Sequence, residues 1–307
     1  MKLAMVFPGQ GSQSVGMIKA YAGLPGVEET LAEARGALGE DFLKVLDEGP
    51  AEKLTLTVNT QPAMVTAGYA AYKAWGALGG PKPDFVAGHS LGEYTALVAA
   101  GALAFKDCLP LVRFRAQSMQ EAVPEGKGAM AAILMLDDAA VRAACAEAGG
   151  AVQAVNFNAP GQVVIAGEKA AVERAMKICS EKGAKRAMLL PVSAPFHSTL
   201  MRPAADKLKG YLEKVAVSAP AISVINNVDV AIESEPARIK DALVRQAASP
   251  VRWVEIIRRM VDSGVTHIVE CGPGKVLAGM TKRIAPGVKP LAAADRASLE
   301  EALKCEA

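Results

Sequence analysis

Cysteine is sparse in this chain and follows no pairing pattern. Cys108, Cys145, Cys179, Cys271 and Cys305 are scattered, odd in number and without a C-x-x-C spacing, which excludes a disulfide framework and a thiolate zinc site. Histidine is scarcer still, at three residues far apart in sequence, so no metal site is expected. Neither sign of charge is in excess. Lys and Arg number 34 against 32 Asp and Glu, a net of +2, far from the basic surplus of a dedicated nucleic-acid binder. No apolar run approaches the ~20 residues of a membrane-spanning helix. The N-terminal stretch Leu3 to Phe7 stops at Pro8, too short for the core of a secretion signal. These absences make a cytoplasmic chain, with neither membrane nor nucleic acid among its partners, the expectation. Aromatics are only 5% of residues, so packing must rely on close approach of small side chains.

What is present suits a globular enzyme. Hydrophobic residues make up 51% of 307, enough for a sizeable core, and at about 150 residues per domain the length fits one large domain or two linked units. Leu3 to Phe7 reads as a buried strand entering the Gly-rich turn Pro8-Gly-Gln-Gly-Ser-Gln13. Thr60 reads as a helix cap with Pro62 in the first turn of a helix over 61–78. Phe85 to Ala87 reads as a short strand, followed by helices over 91–100 and 107–120. Strands alternating with helices predict an α/β fold built on a mostly parallel sheet.

The middle of the chain changes rhythm. The pattern predicts strand over 129–135, helix over 138–148, strands over 152–156 and 162–166, helix over 168–182 and strand over 187–190. That order, βαββαβ, is the ferredoxin-like arrangement. Pro124, Gly126 and Gly128 on one side, and Pro191 and Pro195 on the other, suit hinges. An inserted small domain over 124–191 would then interrupt one α/β domain formed by 1–123 and 192–307.

Gly88-His-Ser-Leu-Gly92 is a G-x-S-x-G motif between a predicted strand and a predicted helix, the context in which a serine sits exposed on a tight turn. The flanking glycines allow close approach around a strained residue. The backbone N–H of Leu91, at the helix start, is placed to stabilise an oxyanion. Ser90 is therefore the candidate nucleophile.

A serine nucleophile needs a base. His89 adjoins Ser90, but neighbouring side chains on such a turn diverge, which leaves it a supporting role. His267 lies in a strand-like run over 265–270 and reads as a core or edge histidine. His197 follows Pro191-Val-Ser-Ala-Pro-Phe196 in a loop returning from the small domain, and scaffold-held loops are where catalytic residues concentrate. His197 is the favoured base. No third member identifies itself: Asp107, Asp137, Asp138, Asp229 and Asp262 are candidates, and a backbone carbonyl could orient the imidazole instead. Two glycine-rich segments fail as nucleotide sites. Position 14 is Ser where G-x-G-x-x-G needs Gly, and Gly272-Pro-Gly-Lys275 is followed by Val276 rather than a hydroxyl residue. Arg113 and Arg115, taken alone, read as a solvated helix face.

Six segments in order carry a family resemblance: Phe7-Pro-Gly-Gln-Gly-Ser-Gln13, Gly88-His-Ser-Leu-Gly-Glu-Tyr94, Met119-Gln-Glu-Ala-Val-Pro124, Asn156-Phe-Asn-Ala-Pro-Gly161, Phe196-His-Ser198 and Gly272-Pro-Gly-Lys275. The chain resembles the malonyl-CoA:acyl carrier protein transacylases of bacterial fatty acid synthesis over nearly its whole length; only the tail beyond about Leu291 lacks recognisable features. The resemblance implies an α/β-hydrolase-like core with the ferredoxin-like insertion. It implies Ser90 as the nucleophile, His197 as general acid/base, and Arg115 as the guanidinium that binds the malonyl carboxylate. Gln10 matches the residue whose backbone N–H joins that of Leu91 in the oxyanion hole. Gln246 matches the residue whose main-chain carbonyl holds the histidine. Ping-pong transfer of malonyl from malonyl-CoA to the phosphopantetheine thiol of acyl carrier protein follows, without metal or redox cofactor. Such carriers are acidic, so Lys and Arg near the cleft should dock them, and a bulky Phe196 resembles malonyl-selective members. Cys271 is expected to be a small buried residue, and nothing demands more than a monomer.

Three other readings compete. An acyltransferase of polyketide synthesis would share the chemistry with another carrier. A serine esterase fits G-x-S-x-G alone but has no use for a buried guanidinium. A non-catalytic carrier-binding protein has no need of Ser90, His197, Arg115 and Gln10 together.

Overall fold

Residues 2–192 and 194–304 are described in a computed structural model of the chain; Ser193 and Cys305 lie outside the described residues. The strands run in chain order as β1 (Leu3–Phe7), β2 (Phe85–Gly88), β3 (Gly128–Leu134), β4 (Val152–Ala159), β5 (Gln162–Glu168), β6 (Arg186–Leu189), β7 (Ser223–Val224), β8 (His267–Cys271) and β9 (Lys289–Ala293). They form two sheets.

The first sheet has the order β7-β2-β1-β8-β9, with every neighbouring pair parallel. All five residues of β1 are buried, as expected of a central strand covered on both faces. Its period of two divides it between two cores: Leu3, Met5 and Phe7 join one, Ala4 and Val6 the other. The chain leaves β1 for β2 on one side and meets β8 on the other, so a crevice opens at the strands' carboxyl ends. Phe7 pairs with Gly88, which brings the loops after β1 and β2 side by side over that crevice.

The second sheet has the order β4-β5-β3-β6 and is antiparallel throughout. Helices Asp138–Ala148 and Lys169–Glu181 connect its strands. One face, carrying Ala131, Ile133, Val163 and Ile165, buries a core of its own with Val141, Ala144, Val172 and Ala175 from those helices. The alternate residues Met130, Val164 and Ala166 join the core of the main body. A backbone pair, Phe157 N–H to Val251 O at 3.0 Å and Val251 N–H to Val155 O at 2.8 Å, ties β4 to that body.

Several predicted boundaries shift by two to four residues: the strands from 152 and 162 run on to Ala159 and Glu168, the helix from 107 begins at Phe105, and one helix start moves furthest. The helix read from 61 begins at Thr57 and runs to Ala77, with Pro62 inside it. Thr60 does not cap it. Fully buried, its hydroxyl must find a partner, and it donates to Leu54 O at 2.6 Å. The helices Arg202–Leu212, Pro236–Ala247 and Trp253–Asp262 had no counterpart in the sequence reading. No helix of the described residues is long and apolar enough to cross a membrane.

Candidate active site

The turn after β2 requires glycine at both ends. A Cβ on Gly88 would overlap the backbone of Gly92, and one on Gly92 would overlap Phe7 O. Between them Ser90 takes φ 54°, a left-handed conformation unfavourable for a side chain with a Cβ. The side chain of Asn227 clamps this strained residue. Its Oδ1 accepts from Ser90 N–H at 2.8 Å, and its Nδ2 donates to Gly88 O at 2.7 Å.

Ser90 Oγ lies 2.7 Å from His197 Nε2, and His197 Nδ1 lies 2.9 Å from the backbone carbonyl of Gln246. A carbonyl only accepts, so Nδ1 carries the proton and Nε2 is left to accept from the serine. Burial, reinforced by the Arg115 charge, pushes the His197 pKa down to about 3. The imidazole is therefore neutral and ready as a base. None of Asp107, Asp137, Asp138, Asp229 and Asp262 takes the third place. Asp137 instead caps the helix Asp138–Ala148 through Ala139 N–H, and Asp229 pairs with Arg245.

Arg115 does not lie on a solvated face. It is 1% exposed, on helix Phe105–Glu121 in the stripe formed by Cys108, Leu111, Val112 and Met119. Nη1 donates to Gln61 Oε1 at 2.8 Å, and Nη2 to Gln246 Oε1 at 2.9 Å and Ser90 Oγ at 3.1 Å. Its guanidinium forms no ion pair with a carboxylate of the described residues. Arg113, by contrast, is half-buried over the Phe42 ring.

A cavity of about 120 Å³ brings together Ser90, His197, Arg115, Gln10 and Leu91, closed by Met119, Met130, Leu190 and Phe196. Gln246 is not in its lining and reaches the Arg115 and His197 side chains and the Ser90 carbonyl from behind. The N–H groups of Gln10 and Leu91 donate to no acceptor among the described residues. His89 also lines the cavity, but its Nε2 is engaged by Asn158 Oδ1 at 2.8 Å, and its ring tilts against Trp253. His267 is half-buried beside Thr266, outside the site. Cys271 is buried, and burial raises its thiol pKa well above the usual value.

Several contributors were not singled out from the sequence: Gln61, Asn227, the side chain of Gln246, and Glu93. The Glu93 carboxyl is 2% exposed, and burial raises its pKa to about 7. The only local signal for it is an acidic residue in the otherwise apolar, buried helix Gly92–Ala99.

The His197 shift gives a direct expectation. Followed by NMR from pH 8 to pH 5, the His197 imidazole should show no protonation near 6.5, the ordinary histidine value. A titration midpoint above 6 would contradict the burial argument. The linkage has a definite sign: the unfolded chain takes up this proton as pH falls below 6.5 and the folded chain does not until about 3. This group therefore withdraws stability progressively across that window.

An acyl transferase domain family profile matches residues 4–297. The malonyl CoA-acyl carrier protein transacylase of Salmonella typhimurium is 53% identical over 305 residues, covering 98% of this chain and 99% of its own. That of Escherichia coli K12 is 56% identical over 286 residues, covering 92% and 93%. Among solved structures, an acyl-carrier-protein S-malonyltransferase from Burkholderia pseudomallei is similar with TM-score 0.97 and 66% identity, covering 99% of this chain and all of that one. A malonyl-transacylase in complex with its type II PKS acyl-carrier protein has TM-score 0.97 and 50% identity, covering 99% and 100%.

Proposed function

This chain belongs to the acyl transferase family and, within it, to the malonyl-CoA:acyl carrier protein transacylases, and from that membership we propose the residues that carry the transfer. The enzyme moves malonyl from coenzyme A to the phosphopantetheine thiol of acyl carrier protein through an ester on Ser90, supplying fatty acid chain elongation. His197 Nε2 takes the Ser90 proton, and the alkoxide attacks the thioester carbonyl. The oxyanion is stabilised by the N–H groups of Gln10 and Leu91. As the C–S bond breaks, His197 returns the proton to the departing coenzyme A thiolate. In the second half the carrier thiol gives its proton to His197, attacks the malonyl ester and releases Ser90. Gln246 O holds the imidazole in the required tautomer throughout.

The observation that carries this reading is Arg115: a buried guanidinium 3.1 Å from the serine oxygen, without a carboxylate of its own. The malonyl carboxylate supplies the missing partner, bound by the planar fork through two hydrogen bonds. Phe196, on the cavity wall, favours malonyl over bulkier branched acyl groups. No cofactor enters the scheme.

The βαββαβ unit over 124–191 is read as a ferredoxin-like insertion, a reading supported by its strand order and its separate core. The remainder, 1–123 and 192–307, is read as one α/β-hydrolase-like catalytic domain. Ser90, His197, Arg115, Gln10 and Leu91 all come from one chain, so a monomer suffices. Buried free thiols suit a reducing cytoplasm. Basic side chains around the cleft would receive the acidic carrier.

Intact mass spectrometry after mixing with malonyl-CoA tests the scheme. A malonyl adduct that holo carrier protein then removes is the expected result. Coenzyme A release without an adduct would instead indicate a thioesterase, and neither adduct nor release would overturn the substrate.

A further inference from the structure

Gln246 touches all three working residues at once: the side chains of His197 and Arg115 and the backbone of Ser90. Its carbonyl holds His197, its Oε1 accepts from Arg115 Nη2, and its Nε2 donates to Ser90 O at 3.0 Å. A carboxamide has one accepting end and one donating end of nearly the same shape. Were the amide reversed, its NH₂ would face the guanidinium, leaving two buried donors opposed and Arg115 short of an acceptor.

Ser90 O, an acceptor only, admits the NH₂ end, and Glu93 adds a second acceptor that fixes the same orientation. Glu93 Oε2 accepts from Gln246 Nε2 at 2.9 Å and from Asn227 N–H at 2.8 Å. An oxygen that accepts from both N–H groups faces the NH₂ end of Gln246 and leaves Oε1 toward Arg115. The same oxygen anchors Asn227, whose side chain clamps Ser90. We propose that Glu93 is a positioning residue for malonyl recognition: by accepting from Gln246 Nε2 it locks the amide with Oε1 on Arg115 and holds the guanidinium where the malonyl carboxylate docks. The role requires an acceptor at this point rather than a charge. It rests on the reading of Arg115 as the carboxylate site.

The test compares kcat/KM for malonyl-CoA and acetyl-CoA, whose ratio does not depend on how much of a preparation is folded. Glu93→Leu, similar in size but without an acceptor, should lower the malonyl-to-acetyl ratio by about tenfold or more. Glu93→Gln retains an oxygen for both N–H groups and should keep the ratio within about threefold of wild type. If the leucine chain does not fold, Glu93→Ala, which also removes the buried carboxyl, is read in the same way. A purely structural Glu93 would lower both substrates equally, and that result overturns the proposal. So does a glutamine variant whose ratio falls as far as the leucine one. A wild type without preference for malonyl would instead remove the Arg115 reading itself, which separates the two failures.

Discussion

Ser90→Ala is expected to lower malonyl transfer by roughly 10⁴- to 10⁶-fold, the scale of losing a nucleophile that acts as a unit with its base. The loss should not come through folding. Alanine keeps the Cβ that Ser90 already carries at φ 54°, and the Asn227 clamp acts on backbone N–H rather than on the hydroxyl. Binding should also persist, because Arg115 keeps Gln61 and Gln246 as acceptors and the N–H groups of Gln10 and Leu91 are untouched. The chain should therefore bind malonyl-CoA, melt near the wild-type temperature and gain no mass from it. A malonyl adduct on the alanine protein would place the nucleophile elsewhere. His197 Nε2, 2.7 Å from the Ser90 oxygen, is the nearest alternative, whereas His89 Nε2 is held by Asn158.

The elbow was legible because its requirements are local. Two glycines four residues apart, a strand before them and a helix after them fix the turn, and the serine follows. The elements between 128 and 189 were legible for a related reason: their βαββαβ order and alternating strand faces are periodic signals. Arg115 was harder. Its own neighbourhood shows a charged residue near another, Arg113, but Cys108, Leu111, Val112 and Met119 at helical spacing place 115 on the apolar stripe, where a solvated guanidinium does not belong. That spacing is a signal for burial that the solvated-face reading of Arg115 left unused. Glu93, Asn227 and the side chain of Gln246 stayed hidden because their bonds join residues 134 and 153 positions apart. Only the folded chain brings such polar groups within reach, and nothing in a single sequence marks which buried amide will meet which carboxyl.

Arg115→Ala should separate malonyl chemistry from serine-ester chemistry in general. Hydrogen bonds to charged groups contribute about 1.5–3 kcal/mol each, so a two-bond carboxylate contact is worth about 3–6 kcal/mol. At about 1.36 kcal/mol per factor of ten, malonyl loading should fall about 10²- to 10⁴-fold. Acetyl has no carboxylate to lose, so its loading should change far less. Removing the buried Arg115 cation also lifts the field that helps hold His197 neutral, which should bring the imidazole pKa up toward its ordinary value. Arg115→Lys keeps the charge but not the planar fork, and should fall between wild type and alanine in the malonyl-to-acetyl ratio. Loading assays with both thioesters on all three proteins decide the matter, and equal losses for malonyl and acetyl would remove the carboxylate role. The cavity gives a reason to expect the split. An enzyme for neutral acyl groups gains nothing from a guanidinium 3.1 Å from its nucleophile and bears the cost of keeping it dry. A substrate that brings its own carboxylate turns that cost into selectivity.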